Sequence, residues 1–306
     1  MDAILFHNPT AGAGDHAPEG LCEMLGRAGF DVRYCSTKGS DFKKMLKEKA
    51  DLAIVAGGDG TVRKVVTKLA GRDIPVAIIP LGTANNIATS LGIPGVDEEH
   101  AAAWQTGRRQ RFDIGLATGP WGKRLFVEAV GCGVFAEAIG TKVDEDAPRQ
   151  ERLLLGRQSL RKFLKKAVPL DIEIEIDGES VDGDLLAVEA LNIGYTGSRL
   201  PFFPQADSGD RGFDVVCIRK DQRSDMLDWL AASDDMGSPA TAVFGRRLRI
   251  RYDKFTALRI DDKLPDPPHK QGEVNVEVQE DSMDIVLPAQ LENEARSGRD
   301  LAEKAS

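Results

Sequence analysis

The chain of 306 residues carries a formal net charge of -9, and 42% of its residues are hydrophobic and 29% are charged. This composition indicates a globular protein with a core, and the length suits one large domain or two ordinary ones. The acidic balance argues against broad nucleic-acid binding, and the 31 glycines and 15 prolines argue against a largely helical fold.

Residues 1–112 alternate short apolar runs with helical patterns, which predicts a Rossmann-like three-layer α/β domain around a parallel sheet. The run 52–56 is wholly apolar, as expected of a strand buried on both faces. The predicted strands are 3–7, 31–35, 52–56 and 75–79, and the predicted helices are 21–28, 42–46, 62–69 and 84–91.

From residue 113 to residue 288 the pattern changes to strict alternation, most clearly at 170–177, which is typical of half-buried antiparallel strands. We expect a C-terminal antiparallel β-sandwich with helical insertions at 149–168 and 221–232. The predicted strands are 125–131, 170–177, 185–193, 213–218, 247–252, 256–261, 273–278 and 283–287. The polar tail 289–306 is expected to fray or to pack back on the first domain.

The four cysteines form no CxxC pair and no disulfide framework, which indicates free thiols in a reducing compartment. No apolar run approaches the roughly 20 residues that span a bilayer. The first six residues lack the basic region and the cleavage site of a signal peptide. We therefore expect a cytoplasmic protein.

The run Gly57-Gly58-Asp59-Gly60-Thr61 lies between a predicted buried strand and a predicted helix. Glycines at such a junction let the main chain approach a polyanion closely, and the helix N-terminus that follows suits phosphate. A carboxylate inside a phosphate loop needs a metal ion or a hydroxyl proton as its partner. The alternative interpretation is a plain turn between strand and helix.

Two further junctions carry similar residues, Pro80-Leu81-Gly82-Thr83-Ala84-Asn85-Asn86 and the Gly-rich run 8–14 after the first strand. Neighbouring junctions of a parallel sheet open at the same edge, where ligands bind. Thr83 and Asn85 could donate to a phosphate or a base, and helix capping by Thr83 is the alternative.

Together these motifs resemble the diacylglycerol kinase catalytic family, which includes sphingosine and ceramide kinases and the bacterial lipid kinases. The family carries Asn-Pro, GGDGT and Pro-x-Gly-Thr-x-Asn segments in this order. The runs 130–136 and 204–210 look like its later motifs, so the resemblance spans roughly residues 3 to 288. It implies an ATP-dependent lipid kinase that uses Mg²⁺ and a diacylglycerol-like acceptor.

The resemblance also implies a role for each matching residue. Asp59 would act at the phosphates, through magnesium or as a base. Asp207 and Asp210, with the main chain near Gly212, would match the metal-associated acidic loop, and a solvated Asx turn is the alternative. The residues that would contact ATP are Asn8, Thr37, Gly57, Gly58, Asp59, Gly60, Thr61, Lys64, Thr83 and Asn85.

The chain departs from the family pattern at the late Asp-Gly-Glu segment, whose Glu is expected to take the proton of the lipid hydroxyl. Here Asp261-Asp262-Lys263 follows the strand, so that Lys263 stands in place of the Glu. A Lys is a proton donor at neutral pH. Asp261, Asp262 or Glu273 could replace the missing base, and Asp59 is a further candidate.

The segment 149–168 is basic and amphipathic, and such a helix can lie on an anionic membrane. Phe202 and Phe203 could line a lipid cleft, and core packing is the alternative. The expected partner is a lipid substrate at the membrane surface, with peripheral association and no nucleic acid. The basic residues of the segment are Arg149, Arg152, Arg157, Arg161, Lys162, Lys165 and Lys166.

Two other functions are compatible with the sequence. A nucleotide- or lipid-binding relative without catalysis is favoured by Lys263 and by Arg211, which stands where the acidic loop usually has Gly. An NAD kinase-like enzyme shares the GGDG loop, but the 80–86 motif speaks against it. Pairing of an exposed sandwich edge would give a homodimer.

Overall fold

The computed structural model describes residues 1–14, 16–139, 141, 147–232, 237–265 and 270–288. The chain divides into two units, one made of Met1–Phe112 with residues 282–288, and one made of Asp113–Asp281. The tail 289–306 lies outside the described residues, so the expectation about it stays a prediction.

Strands and helices follow one another along the described chain. The helices are α1 Pro18–Arg27, α2 Phe42–Met45, α3 Asp59–Leu69, α4 Asn86–Ser90, α5 Glu98–Ala103, α6 Val134–Ala138, α7 Arg149–Lys166 and α8 Arg223–Ala231. The strands are β1 Asp2–His7, β2 Asp31–Ser36, β3 Leu52–Gly57, β4 Val76–Pro80, β5 Arg108–Phe112, β6 Gly115–Gly119, β7 Gly122–Phe126, β8 Ala129–Gly133, β9 Ile172–Ile176, β10 Glu179–Ser180, β11 Leu185–Leu191, β12 Tyr195–Thr196, β13 Leu200–Pro201, β14 Phe213–Arg219, β15 Thr241–Gly245, β16 Arg247–Tyr252, β17 Leu258–Ile260, β18 Gly272–Val278 and β19 Met283–Leu287.

In the first unit, the described strands form a sheet in the order β2-β1-β3-β4-β19-β5, with β1 to β4 parallel. Helices α1 and α5 pack on one face, where Leu25 and Trp104 join the core. On the other face the ring of Phe42 in α2 meets that of Phe6 at 5.9 Å between centroids. The apolar residues of α3 recur at helical spacing and are buried. These layers are the predicted three-layer α/β domain.

Strand β19 corrects one prediction. The run 283–287 was assigned to the sandwich, but it pairs in parallel with β4 and in antiparallel with β5, inside the first sheet. Four of its five residues are buried, as expected of a strand with neighbours on both sides and not of a half-exposed sandwich strand.

The second unit is a β-sandwich. Its sheets run β10-β9-β16-β18-β6-β7 and β15-β14-β11-β8-β17 through the described residues. Alternate side chains of both sheets form one core, as in the Ile174 and Ile176 pair of β9. The predicted strand 125–131 is in fact the end of β7 and the start of β8, joined by a tight connection.

Helices α6, α7 and α8 cover the outer face of the second sheet and form another apolar layer. Phe202 lies in this layer, fully buried and 4.8 Å from the ring of Phe135. Phe202 is therefore a core residue and does not line an open cleft. Arg157 and Arg161 of α7 donate to the main-chain oxygens of Ala232 and Leu227, both at 3.2 Å, so part of the basic face serves packing.

The neighbours of Gly131 in β8 explain why the run 130–136 carries a small residue at this position. It pairs with Glu189 on β11 at one side and with Arg259 on β17 at the other. A Cβ atom at Gly131 would collide with the carboxylate of Glu189. The Glu189 and Arg259 side chains therefore meet across the space that the glycine leaves open.

The substitution Gly131→Ala is expected to lower the free energy of unfolding by about 1–3 kcal/mol or more, because the new methyl group overpacks a buried site. Gly20→Ala in α1 is the matched control, since a Cβ there meets nothing within 4 Å. Its helical position predicts a gain of up to about 1 kcal/mol. Urea unfolding of both variants measures the difference, and equal effects would contradict the explanation.

Candidate functional site

The three sequence motifs of the first unit meet at one edge of its sheet. A Cβ on Gly82 would lie 2.5 Å from Cα of Gly58, so the loops after β3 and β4 touch through their main chains. A Cβ on Gly12 would lie 2.8 Å from the carbonyl oxygen of Leu81. The loop after β1 therefore reaches the same place. Glycine is required at these positions because nothing larger fits.

Asp59 joins two of the motifs. It is the first residue of α3, and its Oδ1 accepts the main-chain N–H of Ile87 at 3.0 Å. Burial raises the pKa of the Asp59 carboxyl above its usual value, and surrounding main-chain N–H groups, that of Ile87 first, oppose the rise. Next to it, Gly60 faces open space and Thr61 packs against Gly57. The loop thus presents a carboxylate beside an open main-chain surface.

Asn85 differs from its predicted role. It has a left-handed backbone with φ of 54° and is buried. Its Oδ1 accepts the N–H of Gly82 at 2.8 Å, and its Nδ2 donates to the carbonyl oxygens of Gly82 at 3.0 Å and Pro80 at 3.3 Å. The amide is committed to its own loop, so Asn85 shapes the 80–86 motif and presents no donor to a ligand. Thr83 remains half-buried on that loop.

The other nucleotide-binding candidates lie around the end of β1. Asn8 Oδ1 accepts the N–H and the hydroxyl of Thr10, at 3.3 and 3.2 Å. Lys64 of α3 donates to the carbonyl oxygen of the buried Thr37. Lys38 was not predicted from the sequence, yet its Nζ donates to the hydroxyl of Thr10 at 2.6 Å. In the sequence alone, a single Lys after a strand does not indicate a binding site, and only its contact with Thr10 in the structure places it there.

In the second unit, the acidic loop consists of Asx turns. Asp207 Oδ1 accepts the N–H of Gly209 at 3.0 Å, and Asp210 Oδ1 accepts that of Gly212 at 3.1 Å. Burial first, then the charges of Asp207 and Asp113, raises the pKa of Asp210, against the opposing bond from Gly212. The carboxylates are thus close enough to repel one another.

Arg211 and Asp113 complete this loop. Arg211 has φ of 66°, the left-handed conformation that explains why Gly is usual at this position. Its N–H donates to Oδ2 of the fully buried Asp113 at 2.7 Å. Asp113 was not singled out from the sequence, because an acidic residue directly after a strand does not by itself indicate a functional site.

The Asp261 carboxylate does not lie at a reacting surface, which corrects its assignment as a candidate base. It is buried with 1% exposure, and Oδ1 accepts the N–H groups of residues 127–129 at 2.8–3.2 Å. Asp262 and Lys263 are exposed on the same turn. Two main-chain hydrogen bonds between Ile260 and Lys263 close the turn. The N–H of Ile260 donates to the oxygen of Lys263 at 2.8 Å, and the N–H of Lys263 donates to the oxygen of Ile260 at 3.1 Å.

Glu273 is also engaged. Its Oε2 accepts from Nε of Arg251 at 2.6 Å, and its Oε1 accepts from the amide of Asn275 at 2.9 Å. These bonds lower the pKa of the Glu273 carboxyl. Both partners belong to the charged outer face of the sandwich, so Glu273 is held there as an ion pair.

A buried polar cluster of the second unit was missed from the sequence. Arg259 Nε lies 2.9 Å from Glu189 Oε2, and both side chains are nearly inaccessible, with 4% and 0% exposure. Burial raises the pKa of Glu189, and the charge of Arg259 opposes the rise. The available signal in the sequence was one charged residue, Glu189, inside the otherwise apolar run 185–191.

The fold of the two units matches that of kinases of known structure. A crystal structure of a diacylglycerol kinase from Bacillus anthracis str. Sterne gives a TM-score of 0.68 at 20% identity, covering 94% of this chain and 97% of that one. Yeast NADH kinase complexed with NADH gives 0.54 at 11% identity, covering 94% and 83%. The predicted fold class, an α/β domain followed by a β-sandwich, is confirmed.

Sequence comparison adds the family. Residues 2–117 match the model of the diacylglycerol kinase catalytic domain. A diacylglycerol kinase of Bacillus subtilis (strain 168) is 29% identical over 233 residues, which are 71% of this chain and 74% of that relative. The match over residues 2–117 confirms the resemblance to the diacylglycerol kinase catalytic family.

The acidic loop predicts a pH dependence of stability. Burial, then the charges of Asp210 and Asp207, raises the pKa of Asp214 from 3.8 to about 6. Between these values the folded state binds more protons than the unfolded state, so the free energy of unfolding falls as the pH rises through this window. Asp214→Asn is expected to remove the fall, leaving stability unchanged below about pH 4 and raising it above about pH 6.

Chemical unfolding of both proteins between pH 4 and 8 checks this expectation. Asp73→Asn is the matched control, because the side chain of Asp73 is fully exposed. A parallel change in both variants would show that the Asp214 environment is not the cause.

Proposed function

We propose that the protein is a lipid kinase that transfers the γ-phosphate of ATP to a hydroxyl of a diacylglycerol-like lipid with Mg²⁺. The observation that carries the proposal is the position of Asp59, whose bond to the N–H of Ile87 ties together the two glycine loops at the sheet edge. The kinase names of the family and of the relatives support phosphoryl transfer.

The geometry of the first unit suits a nucleotide polyphosphate. Gly60 is open to solvent, and Gly58 and Gly82 let the main chains of the two loops lie in direct contact. Lys38 and Lys64 add positive charge beside the loops after β1 and β2. Phosphoryl transfer depends mainly on such positioning and on charge neutralisation.

Magnesium would supply the neutralisation of phosphate charge when it is bound. No group of three or more His, Cys, Asp or Glu side chains in the described ranges could hold a metal ion alone. Mg²⁺ often takes one or two carboxylates and completes its shell with phosphates and water, so Asp59 with the nucleotide fits this donor set. Asp207 and Asp210, with the main-chain oxygen of Gly212, form a second candidate whose mutual repulsion a cation would relieve.

Two carboxylates remain as candidates for the base that receives the lipid hydroxyl proton. Burial raises the pKa of the Asp59 carboxyl, which moves this group in the direction that a general base requires. Asp262 is exposed on its turn, whereas the carboxylate of Asp261 is enclosed by main-chain N–H groups. Lys263 on the same turn favours the second candidate function, a nucleotide-binding relative without transfer activity.

A lipid acceptor requires a surface that meets the bilayer. None of the described helices combines the length and apolar character needed to cross a membrane. Two large apolar side chains, those of Val168 and Phe255, are exposed to solvent at 74% and 64%. The ion pair of Lys254 with Asp171, at 2.6 Å, joins the two segments that carry them.

Exposed lysines flank these apolar side chains. Lys165 and Lys166 end α7 and are separated from Val168 by Ala167, and Lys254 precedes Phe255. Apolar side chains among lysines complement an anionic bilayer, and Lys165 and Lys166 lie close to Val168 in a chain whose formal net charge is -9. We take this lysine-flanked patch as the contact with the membrane that holds the lipid substrate.

The kinase proposal is tested with γ-labelled ATP, Mg²⁺ and an extracted bacterial lipid mixture. The wild-type protein is expected to produce a labelled lipid. Asp59→Asn is expected to reduce the rate at least 100-fold, because the carboxylate charge at the phosphates is lost. The Asp73→Asn control should retain the rate.

Circular dichroism and thermal stabilisation by ATP check that Asp59→Asn is folded. If the wild-type protein labels no lipid while ATP still raises its melting temperature, the binding relative without transfer activity replaces the kinase as the better interpretation.

The membrane patch is tested by cosedimentation with vesicles that contain anionic lipid. Val168→Glu combined with Phe255→Glu is expected to weaken binding at least tenfold, since two inserting side chains become charged. Val243→Glu is the matched control, because Val243 is exposed at 54% on β15, which belongs to neither segment of the patch. Equal loss in both variants, or undiminished binding to neutral vesicles, would contradict the patch.

A further inference from the structure

Arg259 uses every nitrogen of its guanidinium group on a different segment of the second unit. Nε pairs with Glu189 of β11 at 2.9 Å, and Nη2 donates to the hydroxyl of Thr196 in β12 at 2.8 Å. Nη1 donates to the carbonyl oxygen of Asp261 at 2.9 Å. The planar fork of an Arg fixes direction as well as distance, so three segments are oriented by one side chain.

The environment of this pair is closed on all sides. Arg259 and Glu189 have 4% and 0% exposure, and Gly131 lies between them on β8. The guanidinium carbon lies 5.5 Å from the ring centroid of Phe135 in α6. Within the described residues, Glu189 Oε1 has no hydrogen-bond partner.

A buried ion pair is weak evidence for stability, because apolar residues of similar size often stabilise a fold equally well or better. In this protein the pair fixes the orientation of the segments that Arg259 contacts. The hydroxyl of Thr196 belongs to the β12–β13 hairpin, and the carbonyl of Asp261 belongs to the turn that carries Asp262 and Lys263. The carboxylate of Asp261 accepts the N–H groups of residues 127–129 and so secures the other side of this turn.

We propose that the Glu189–Arg259 pair is a positioning device that holds the turn 260–263 and the β12–β13 hairpin in one fixed arrangement for use of the lipid acceptor. The inference rests on the proposed kinase function. Arg259 and Glu189 are positioning residues, and they act on the acceptor through Asp262, Lys263 and the hairpin. Nucleotide binding in the first unit does not depend on them.

The test replaces the pair by apolar residues of similar length, in Glu189→Met combined with Arg259→Met. We expect this variant to fold, and its kcat/KM for the lipid to fall at least tenfold while the KM for ATP stays unchanged. Hydrogen exchange, followed by mass spectrometry, is expected to speed up in residues 195–201 and 260–263 together.

Glu175→Met combined with Arg249→Met is the matched control. This pair also links neighbouring strands of the sandwich, but it lies on the outer face and is partly exposed. The control should leave both the lipid kinetics and the exchange of the two segments unchanged.

Thr196→Val serves as a second variant if the double variant does not fold. It removes one acceptor and leaves the ion pair, so exchange should increase in the hairpin and not in the turn. Arg259→Lys keeps the charge and loses the fork, and it should behave like the double Met variant.

The proposal is overturned if the folded double Met variant keeps wild-type lipid kinetics and exchange, or if its loss appears in the KM for ATP. If the wild-type protein shows no transfer, the kinase function fails by that result alone. Exchange then decides the inference, and unchanged or uniformly increased exchange in the variant rejects it.

Discussion

The contact between the main chains of Gly58 and Gly82 is the constraint on which the candidate site depends. It brings the ends of β3 and β4 closer than any side chain would permit. Because the loops touch, the carboxylate of Asp59 can reach the N–H of Ile87 at the start of α4. The third loop, through Gly12, completes an edge where main-chain groups and one carboxylate lie together. The rest of the first sheet supports this edge.

In the second unit, two charged side chains are buried inside an apolar layer. Gly131 provides the space, and Glu189 and Arg259 from the two flanking strands fill it. The same strand, β8, contributes Val130 and Cys132 to the sandwich core on its other face. Alternation along one strand therefore separates an apolar core from a buried polar network.

The sequence predicted the fold class and the convergence of the three loops, because periodicity and the topology of parallel sheets determine both. It could not predict where individual side chains point. Asn85 and Asp261 both have positive φ values, 54° and 53°, which turn their side chains back onto the main chain. Nothing local reveals such a turn at a non-glycine residue. The Arg259 network was equally hidden, since its partners lie 63 and 70 positions away in the chain.

The position of β19 has a consequence for synthesis on the ribosome. The first sheet places Met283–Leu287 between β4 and β5, although these strands are complete by residue 112. The N-terminal unit therefore lacks an interior strand until residues 283–287 have emerged, and its sheet has unsatisfied edges at β4 and β5 during that time. The sandwich, a continuous stretch from Asp113 to Asp281, can fold before it. The sandwich can therefore be complete before the first sheet is, although the sandwich is translated after most of that sheet.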